Sequence, residues 1–118
     1  MSDQRRRLGA LGEDFAAQWY VARGFEIVDR NWRVREGEID LVAQRERTIV
    51  FCEVKTRSSD RFGVPAESVT LTKQRRLRVL AARWLSEHPD RRGQVRFDVA
   101  SVVPAGATPS VTVLEAAF

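Results

Sequence analysis

The sequence predicts a mixed α/β protein in which two helices pack on a central mixed sheet, with elements in the order αβββαββ. Two segments repeat apolar residues at three- and four-residue steps, which is typical of amphipathic helices. Five shorter apolar segments have the length of strands, and the connections between the first three are short enough for hairpins. With 118 residues, the chain is expected to form one domain over residues 1–118 with a core of its own.

The first helix is predicted over residues 5–23, and Gly24 just past its end is a plausible stop signal. Glu13 lies on a flank of the predicted apolar stripe, where small residues would let another backbone come close. Considered alone, Glu13 is more simply a solvated surface carboxylate. The stripe consists of Leu8, Leu11, Phe15, Trp19 and Ala22, and the flank contains Gly9, Ala16, Ala17 and Tyr20.

The remaining elements follow in chain order. Three strands are predicted over residues 25–34, 38–44 and 48–56, and a longer loop over residues 57–69 contains serine, glycine and proline. A second helix over residues 72–87 carries Leu77, Leu80, Ala81, Trp84 and Leu85 on its apolar side. Two further strands are predicted over residues 95–103 and 110–115.

Composition excludes several classes of protein. No apolar run approaches the roughly 18 residues that a membrane span needs, and the basic N-terminus is not followed by the apolar stretch of a secretory signal. Cys52 and His88 are the only cysteine and histidine, so the chain predicts neither an internal disulfide nor a zinc site. A cytoplasmic protein is the simplest expectation.

The net charge of +4 is unevenly distributed, since residues 1–60 contain eleven basic and eleven acidic groups whereas residues 61–118 contain nine and five. A basic stripe of this kind can follow a phosphate backbone. A solvated helix face in an arginine-rich chain is the alternative. The stripe is densest at Lys73, Arg75, Arg76 and Arg78.

Charged residues interrupt two of the apolar strands, where burial is costly unless the charges pair or hold a metal. Residues two apart in a strand share a face, so Glu53 and Lys55 point the same way. A hairpin between the two strands can bring Asp40 beside Glu53. The opposite faces, Ile39-Leu41-Ala43 and Val50-Cys52-Val54, are also apolar, which is typical of covered central strands.

Two explanations of these charges remain open. The first is an ion pair of Lys55 with Glu53 or Asp40, which would leave one carboxylate repelling the other. The second is a divalent cation held by Asp40 and Glu53, with the carbonyl of Val54 nearby. Such a cation would polarise a phosphate oxygen and lower the pKa of a bound water, while Lys55 would orient that water or stabilise the charge on the phosphate.

Two motifs give the chain a resemblance to a known superfamily. Gly37-Glu38-Ile39-Asp40-Leu41-Val42, followed by Val50-Phe51-Cys52-Glu53-Val54-Lys55-Thr56-Arg57, resembles the PD-(D/E)xK nucleases. Within that superfamily the chain is most similar to the bacterial YraN family of endonuclease-like proteins, which is itself similar to archaeal Holliday junction resolvases. Ile39 stands where the superfamily name has proline, which does not remove the ligand at Asp40.

The resemblance implies a restriction-endonuclease-like αβββαβ core and a role for each matching residue. Asp40 and Glu53 match the metal-binding acids, and Lys55 matches the catalytic lysine. Glu13 matches a first-helix acid of resolvase-like members, which favours a metal-site role for it. The expected nucleic-acid-binding residues are Lys73, Gln74, Arg75, Arg76 and Arg57.

The resulting hypothesis is an endodeoxyribonuclease that depends on Mg²⁺ or Mn²⁺ and acts in DNA repair or recombination, with branched DNA among its expected substrates. A resolvase-like enzyme is expected to work as a homodimer, to which Trp32, Phe62 or Phe118 would contribute apolar surface. The alternative is a non-catalytic DNA-binding or adaptor module that keeps the nuclease fold. Activity that requires a protein partner also stays open.

Overall fold

The structure is a computed structural model that describes residues 3–57, 69–104 and 109–118, with side chains from residue 6 onward. It confirms the predicted order of elements, and the ends of each element lie within two residues of the predicted ones. Most of the loop predicted over residues 57–69 lies outside the described residues. The elements are α1 (Asp3–Ala22), β1 (Glu26–Val34), β2 (Gly37–Arg45), β3 (Thr48–Thr56), α2 (Leu71–Glu87), β4 (Gln94–Val103) and β5 (Ser110–Leu114).

The five strands form one mixed sheet in the order β1-β2-β3-β4-β5. Neighbouring strands are antiparallel except β3 and β4, which run parallel. A parallel pair cannot be joined by a tight turn and needs a crossover connection, which α2 supplies. None of the helices in the described ranges combines the length and the apolar character required to cross a membrane.

The two helices cover opposite faces of the sheet. One core cluster joins α1 to β2, β3 and β4 through residues such as Tyr20, Leu41 and Cys52. The other joins α2 to the opposite face through residues such as Val42, Phe51 and Trp84. The central strands β2 and β3 are therefore buried on both sides, as their apolar sequences predict.

Helix α1 ends as predicted, but its buried face differs from the predicted one. Gly24 has a φ of +86°, and the N–H of Phe25 donates to the carbonyl of Tyr20 at 3.0 Å, which is a Schellman cap. Leu11 is 43% exposed and Ala22 is exposed too, so the stripe prediction is wrong for these two. The small flank faces the sheet instead, because it lets the helix backbone approach closely. Three of its members, Ala16, Ala17 and Tyr20, are buried, and so is Gly12, which was assigned to neither group.

The closest approach of α1 to the sheet lies at Gly12. A Cβ at this position would fall 1.9 Å from the Thr56 hydroxyl oxygen, and threonine has little rotamer freedom with which to move away. We expect Gly12→Ala to lower the free energy of unfolding by about 1–3 kcal/mol in urea titrations, as overpacking does. Gly9→Ala is the matched control, because a Cβ there meets nothing within 4 Å; equal stability of the two variants would contradict this packing.

Strand β2 changes its facing at Asp40. Ile39 packs in the cluster under α2, whereas Leu41 packs in the cluster under α1. Residues two apart normally share a face, so the prediction that Ile39 shares the face of Leu41 is wrong. Beside this point, Asn31 of β1 has a φ of +52° and lies between the register pairs Arg30↔Leu41 and Trp32↔Ile39.

Candidate functional site

Asp40 and Glu53 meet where the β2–β3 ladder ends. The regular pairs run up to Leu41↔Cys52, and the same register continued by one residue places Asp40 opposite Glu53. Beyond this point a side chain replaces the backbone as hydrogen-bond acceptor: the Asp40 Oδ2 accepts a hydrogen bond from the Val54 N–H at 2.8 Å. Asp40 is 8% exposed and Glu53 is 9% exposed. Two carboxyl groups are thus brought together in a largely buried place.

Glu53 is paired with both lysines of the chain. Its Oε1 lies 2.6 Å from the Lys73 Nζ and 3.5 Å from the Lys55 Nζ. Lys55 reaches Glu53 from the same face of β3, as predicted, whereas Lys73 approaches from the first turn of α2. The ion-pair explanation therefore accounts for Glu53. Asp40 has no ion-pair partner among the described residues, so that explanation does not account for it.

The electrostatics of the pair follow from this asymmetry. Burial, followed by the charge of Glu53, raises the pKa of Asp40 to about 7, although the hydrogen bond from Val54 opposes the rise. Burial lowers the pKa of Lys55, and the nearby Lys73 adds to this effect against the opposing charge of Glu53. Burial alone would lower the pKa of Lys73, but its contacts with Glu53 and Lys55 and the charge of Asp40 together outweigh burial and raise the pKa.

A cleft of about 260 Å³ opens over Asp40 and Glu53. Its walls combine the carboxylates of β2 and β3 with cationic side chains of α2. Gly37, which begins β2, leaves room for α2, since a Cβ there would lie 3.2 Å from Leu80 and 3.5 Å from the Arg76 stem. The lining residues are Gly37, Glu38, Asp40, Glu53, Lys73, Arg76 and Leu77.

Glu13 lies near this site but does not complete a three-carboxylate set. Within the part of the chain that the structure describes, no group of three or more acidic, histidine or cysteine side chains is placed to hold a metal together. Burial raises the pKa of Glu13, opposed by a hydrogen bond from Asn31 and by the charge of Arg30. Its charge in turn contributes to the raised pKa of Asp40. A metal-site role for Glu13 stays a prediction.

The predicted nucleic-acid-binding residues are not all placed alike. Lys73 and Arg76 line the cleft, while Arg75 is exposed on α2 outside it. Gln74 points back along the chain, where its amide donates to the Val69 carbonyl at 3.2 Å. Arg57 follows β3 directly, and its N–H donates to the Val102 carbonyl at 2.9 Å. The cationic side of the cleft is therefore formed by α2.

Sequence reasoning missed a second buried charge, on the face of the sheet opposite the cleft. Asp98 is fully buried and accepts hydrogen bonds from the Tyr20 hydroxyl at 2.6 Å and from the Ala116 N–H at 3.0 Å. It also pairs with the Arg96 guanidinium at 2.9 and 3.0 Å. The spacing of Arg96 and Asp98, two residues apart in an apolar strand, was the signal that could have revealed it.

Two of the apolar residues expected at a dimer interface, Trp32 and Phe118, are partly buried against the core. Phe118 stacks on Phe97 with ring centroids 5.1 Å apart, and Trp32 packs against the cluster under α2. Phe62 lies outside the described residues. The homodimer stays a prediction.

The fold and the site together define a class of protein. A five-stranded mixed sheet between two helices is compatible with a restriction-endonuclease-like core, and two carboxyl groups with two lysines lie where the β2–β3 ladder ends. The chain belongs to the family described as uncharacterised protein family UPF0102, whose model matches residues 12–102.

Named relatives from several organisms match most of the chain. A UPF0102 protein of Clavibacter michiganensis subsp. michiganensis is 54% identical over 111 residues, which cover 93% of this chain and 94% of the relative. One from Rhodococcus opacus is 48% identical over 112 residues, covering 94% and 95%. One from Frankia casuarinae is 60% identical over 92 residues, covering 78% of each. These names give the family and no activity.

Proposed function

We propose that this chain is a metal-dependent endodeoxyribonuclease of the PD-(D/E)xK superfamily and of its YraN family, acting on DNA in repair or recombination. Branched DNA is included among the proposed substrates, as is a homodimer as the working form. The observation that carries the proposal is Asp40, a carboxyl group buried against Glu53 and without a cationic partner among the described residues.

The donor atoms suit a hard divalent cation. Mg²⁺ prefers oxygen ligands and is usually held by one or two carboxylates together with waters and substrate phosphates. Asp40 and Glu53 supply the two carboxylates, and the carbonyl of Val54 is proposed as a further ligand. A third acid is not required, which agrees with the position of Glu13 apart from the pair. Bound there, Mg²⁺ or Mn²⁺ would supply Lewis acidity to the phosphodiester.

The remaining side chains have roles that follow from their positions. Lys55 is held beside Glu53 by its strand, and burial lowers its pKa, so it is suited to orient a water molecule and exchange a proton with it. Lys73 and Arg76 present positive charge to the cleft, which favours a phosphate backbone. Glu13 acts on Asp40 through its charge.

A non-catalytic DNA-binding or adaptor module is the second candidate, and one observation favours it. Glu53 already has two ammonium partners, so a structural ion-pair cluster could hold α2 against β3 without a metal ion. The two candidates differ in what happens when Glu53 is removed. A catalytic site loses its activity, whereas an adaptor has none to lose.

The test is cleavage of linear, flapped and four-way DNA with Mg²⁺ or Mn²⁺ by a nuclease-free preparation. We expect the wild type to cut at least one substrate and Glu53→Ala to lose at least about a hundredfold in rate, as expected when a charge-stabilising group is removed. Glu36→Ala is the control, because Glu36 is exposed in the β1–β2 turn and paired with Arg83. Absence of cleavage by the wild type, or equal cleavage by Glu53→Ala, would favour the adaptor.

A further inference from the structure

Both contacts of Glu53 are made by lysine in a chain that otherwise uses arginine. Of its 20 basic residues, only Lys55 and Lys73 are lysines, and both approach the same oxygen of Glu53. A guanidinium is a planar fork that can hold a carboxylate through two hydrogen bonds, whereas an ammonium is a compact point charge on a flexible stem. The composition thus places the more easily released kind of cation at this carboxylate.

The two lysines differ in how the fold holds them. Lys55 is two residues from Glu53 on the same strand and face, so the backbone keeps it nearby. Lys73 starts from α2 and reaches Glu53 through its side chain, which is 33% exposed. Lys73 can therefore leave Glu53 by side-chain rotation, without movement of the sheet or the helix.

A divalent cation on Glu53 would change the charge balance of the cleft. With Asp40 ionised, the two carboxylates and the two ammonium groups balance one another, so the cation adds two positive charges to a site that is largely buried. Like charges repel strongly where water is excluded. Lys73 now lies 2.6 Å from the Glu53 oxygen, and its side chain is 33% exposed against 24% for Lys55, so Lys73 is the group expected to move.

The rim of the cleft is positively charged and would attract an anion close to Lys73. Arg76, one turn further along α2, lines the same cleft. Helix α2 begins here, with the Lys73 N–H donating to the Thr70 hydroxyl at 3.2 Å and no acidic residue in the first turn. The positive end of the helix dipole adds to these side chains. Lys73 and Arg76 together are suited to a phosphate of the substrate backbone.

We propose that Lys73 releases Glu53 when a divalent cation binds there, and that its ammonium then contacts a backbone phosphate of the nucleic acid. The inference rests on the proposed function for the identities of cation and anion. It makes the binding of cation and nucleic acid mutually reinforcing, because each favours the same position of Lys73, and such coupling is reciprocal.

The first arm of the test is calorimetric titration with Ca²⁺, an oxygen-seeking cation. Lys73→Gln removes the competing ammonium, so it is expected to bind Ca²⁺ about tenfold more tightly than the wild type, within the usual range of coupling. Lys73→Arg keeps the charge and is expected to bind no more tightly than the wild type. Arg75→Gln removes an exposed charge outside the cleft and is expected to change the affinity little.

The second arm measures the binding of a short DNA duplex by fluorescence anisotropy, once in EDTA and once in Ca²⁺. Lys73→Gln is expected to equal the wild type in EDTA, where Lys73 stays on Glu53. In Ca²⁺ the wild type is expected to bind several-fold more tightly than Lys73→Gln and to show a steeper salt dependence, by about one phosphate contact. A residue that only stabilises the fold would have the same effect under both conditions.

The outcomes separate this inference from the proposed function. Unchanged Ca²⁺ affinity in Lys73→Gln, or an equal loss of DNA binding in EDTA and Ca²⁺, overturns the exchange even if the wild type cuts DNA. Tighter Ca²⁺ binding by Lys73→Gln supports the exchange even if the wild type cuts no DNA, which overturns only the nuclease. Failure of both wild type and Lys73→Gln to bind Ca²⁺ overturns the exchange and the proposed cation site together.

Discussion

Asp40→Asn is expected to raise the free energy of unfolding at pH 8 by about 2–4 kcal/mol in the absence of divalent cations. Burial and the charge of Glu53 raise the pKa of Asp40 from 3.8 to about 7, and each pH unit between these values costs about 1.4 kcal/mol. Asparagine carries no charge to bury, and its oxygen can still accept the hydrogen bond from the Val54 N–H.

The same shift fixes the direction of the pH dependence. Well below pH 3.8, Asp40 is protonated in both the folded and the unfolded chain and has no electrostatic cost. Because the folded pKa is the higher one, the wild type loses stability as the pH rises from about 4 to about 7, and the full cost remains above that range. Asp40→Asn removes this contribution, so its advantage should grow over the same pH range.

Urea unfolding of both proteins between pH 4 and pH 8 is the measurement. Asp14→Asn is the control, because Asp14 is an exposed carboxylate on α1 that pairs with Arg30. Its stability curve is expected to run parallel to that of the wild type. If the curve of Asp40→Asn also ran parallel to the wild type, the buried and repelled state of Asp40 would be contradicted.

Asp98→Ala is expected to lower the free energy of unfolding by about 3–5 kcal/mol, the usual result of breaking a buried ion pair from one side. Asp98 is fully buried and joins α1, β4 and the C-terminal residues through Tyr20, Arg96 and Ala116. Its removal leaves a buried hydroxyl and a partly buried guanidinium with fewer acceptors. Domains of this size are stable by only about 5–15 kcal/mol, so the loss is a large fraction of the total.

Glu115→Ala is the matched control for Asp98→Ala. Glu115 contacts the same guanidinium, with its oxygen 3.0 Å from the Arg96 Nη2, but its side chain is 54% exposed. An exposed pair contributes about 1 kcal/mol or less. Thermal and urea unfolding of both variants therefore compare a buried and an exposed partner of one arginine. Similar losses in the two variants would show that Asp98 does not depend on burial for its effect.

The sequence predicted the sheet and its central charges because two rules act locally in strands. Side chains alternate between faces, and apolar residues on both faces indicate burial. These two rules were enough to predict that Asp40, Glu53 and Lys55 lie close together. The break in alternation at Asp40 was not predictable, because Ile39 faces α2 through an irregularity of the folded sheet. The hydrophobicity of Leu11 predicts a core position for it, but the small size of Gly12 determines which face of α1 meets the sheet.

Contacts between distant elements were harder to predict than the strands themselves. The sequence predicts Lys73 as a nucleic-acid-binding residue, but its contact with Glu53 depends on where α2 starts over the sheet. The hydrogen bond from Tyr20 to Asp98 joins residues 78 positions apart, a distance over which no periodicity in the sequence gives information. The local pattern thus predicted which residues carry charge in buried strands, while tertiary packing determined their partners.

The central claim is that Asp40 and Glu53 bind one divalent cation between them. The most direct measurement is anomalous diffraction from crystals of the wild type and of Asp40→Asn soaked in Mn²⁺. We predict one peak in the wild type, about 2 Å from an oxygen of each carboxylate as in Mg²⁺ sites, and its loss in Asp40→Asn. A saturated crystal with no peak between Asp40 and Glu53, or with a peak bound elsewhere in the chain, would contradict the claim.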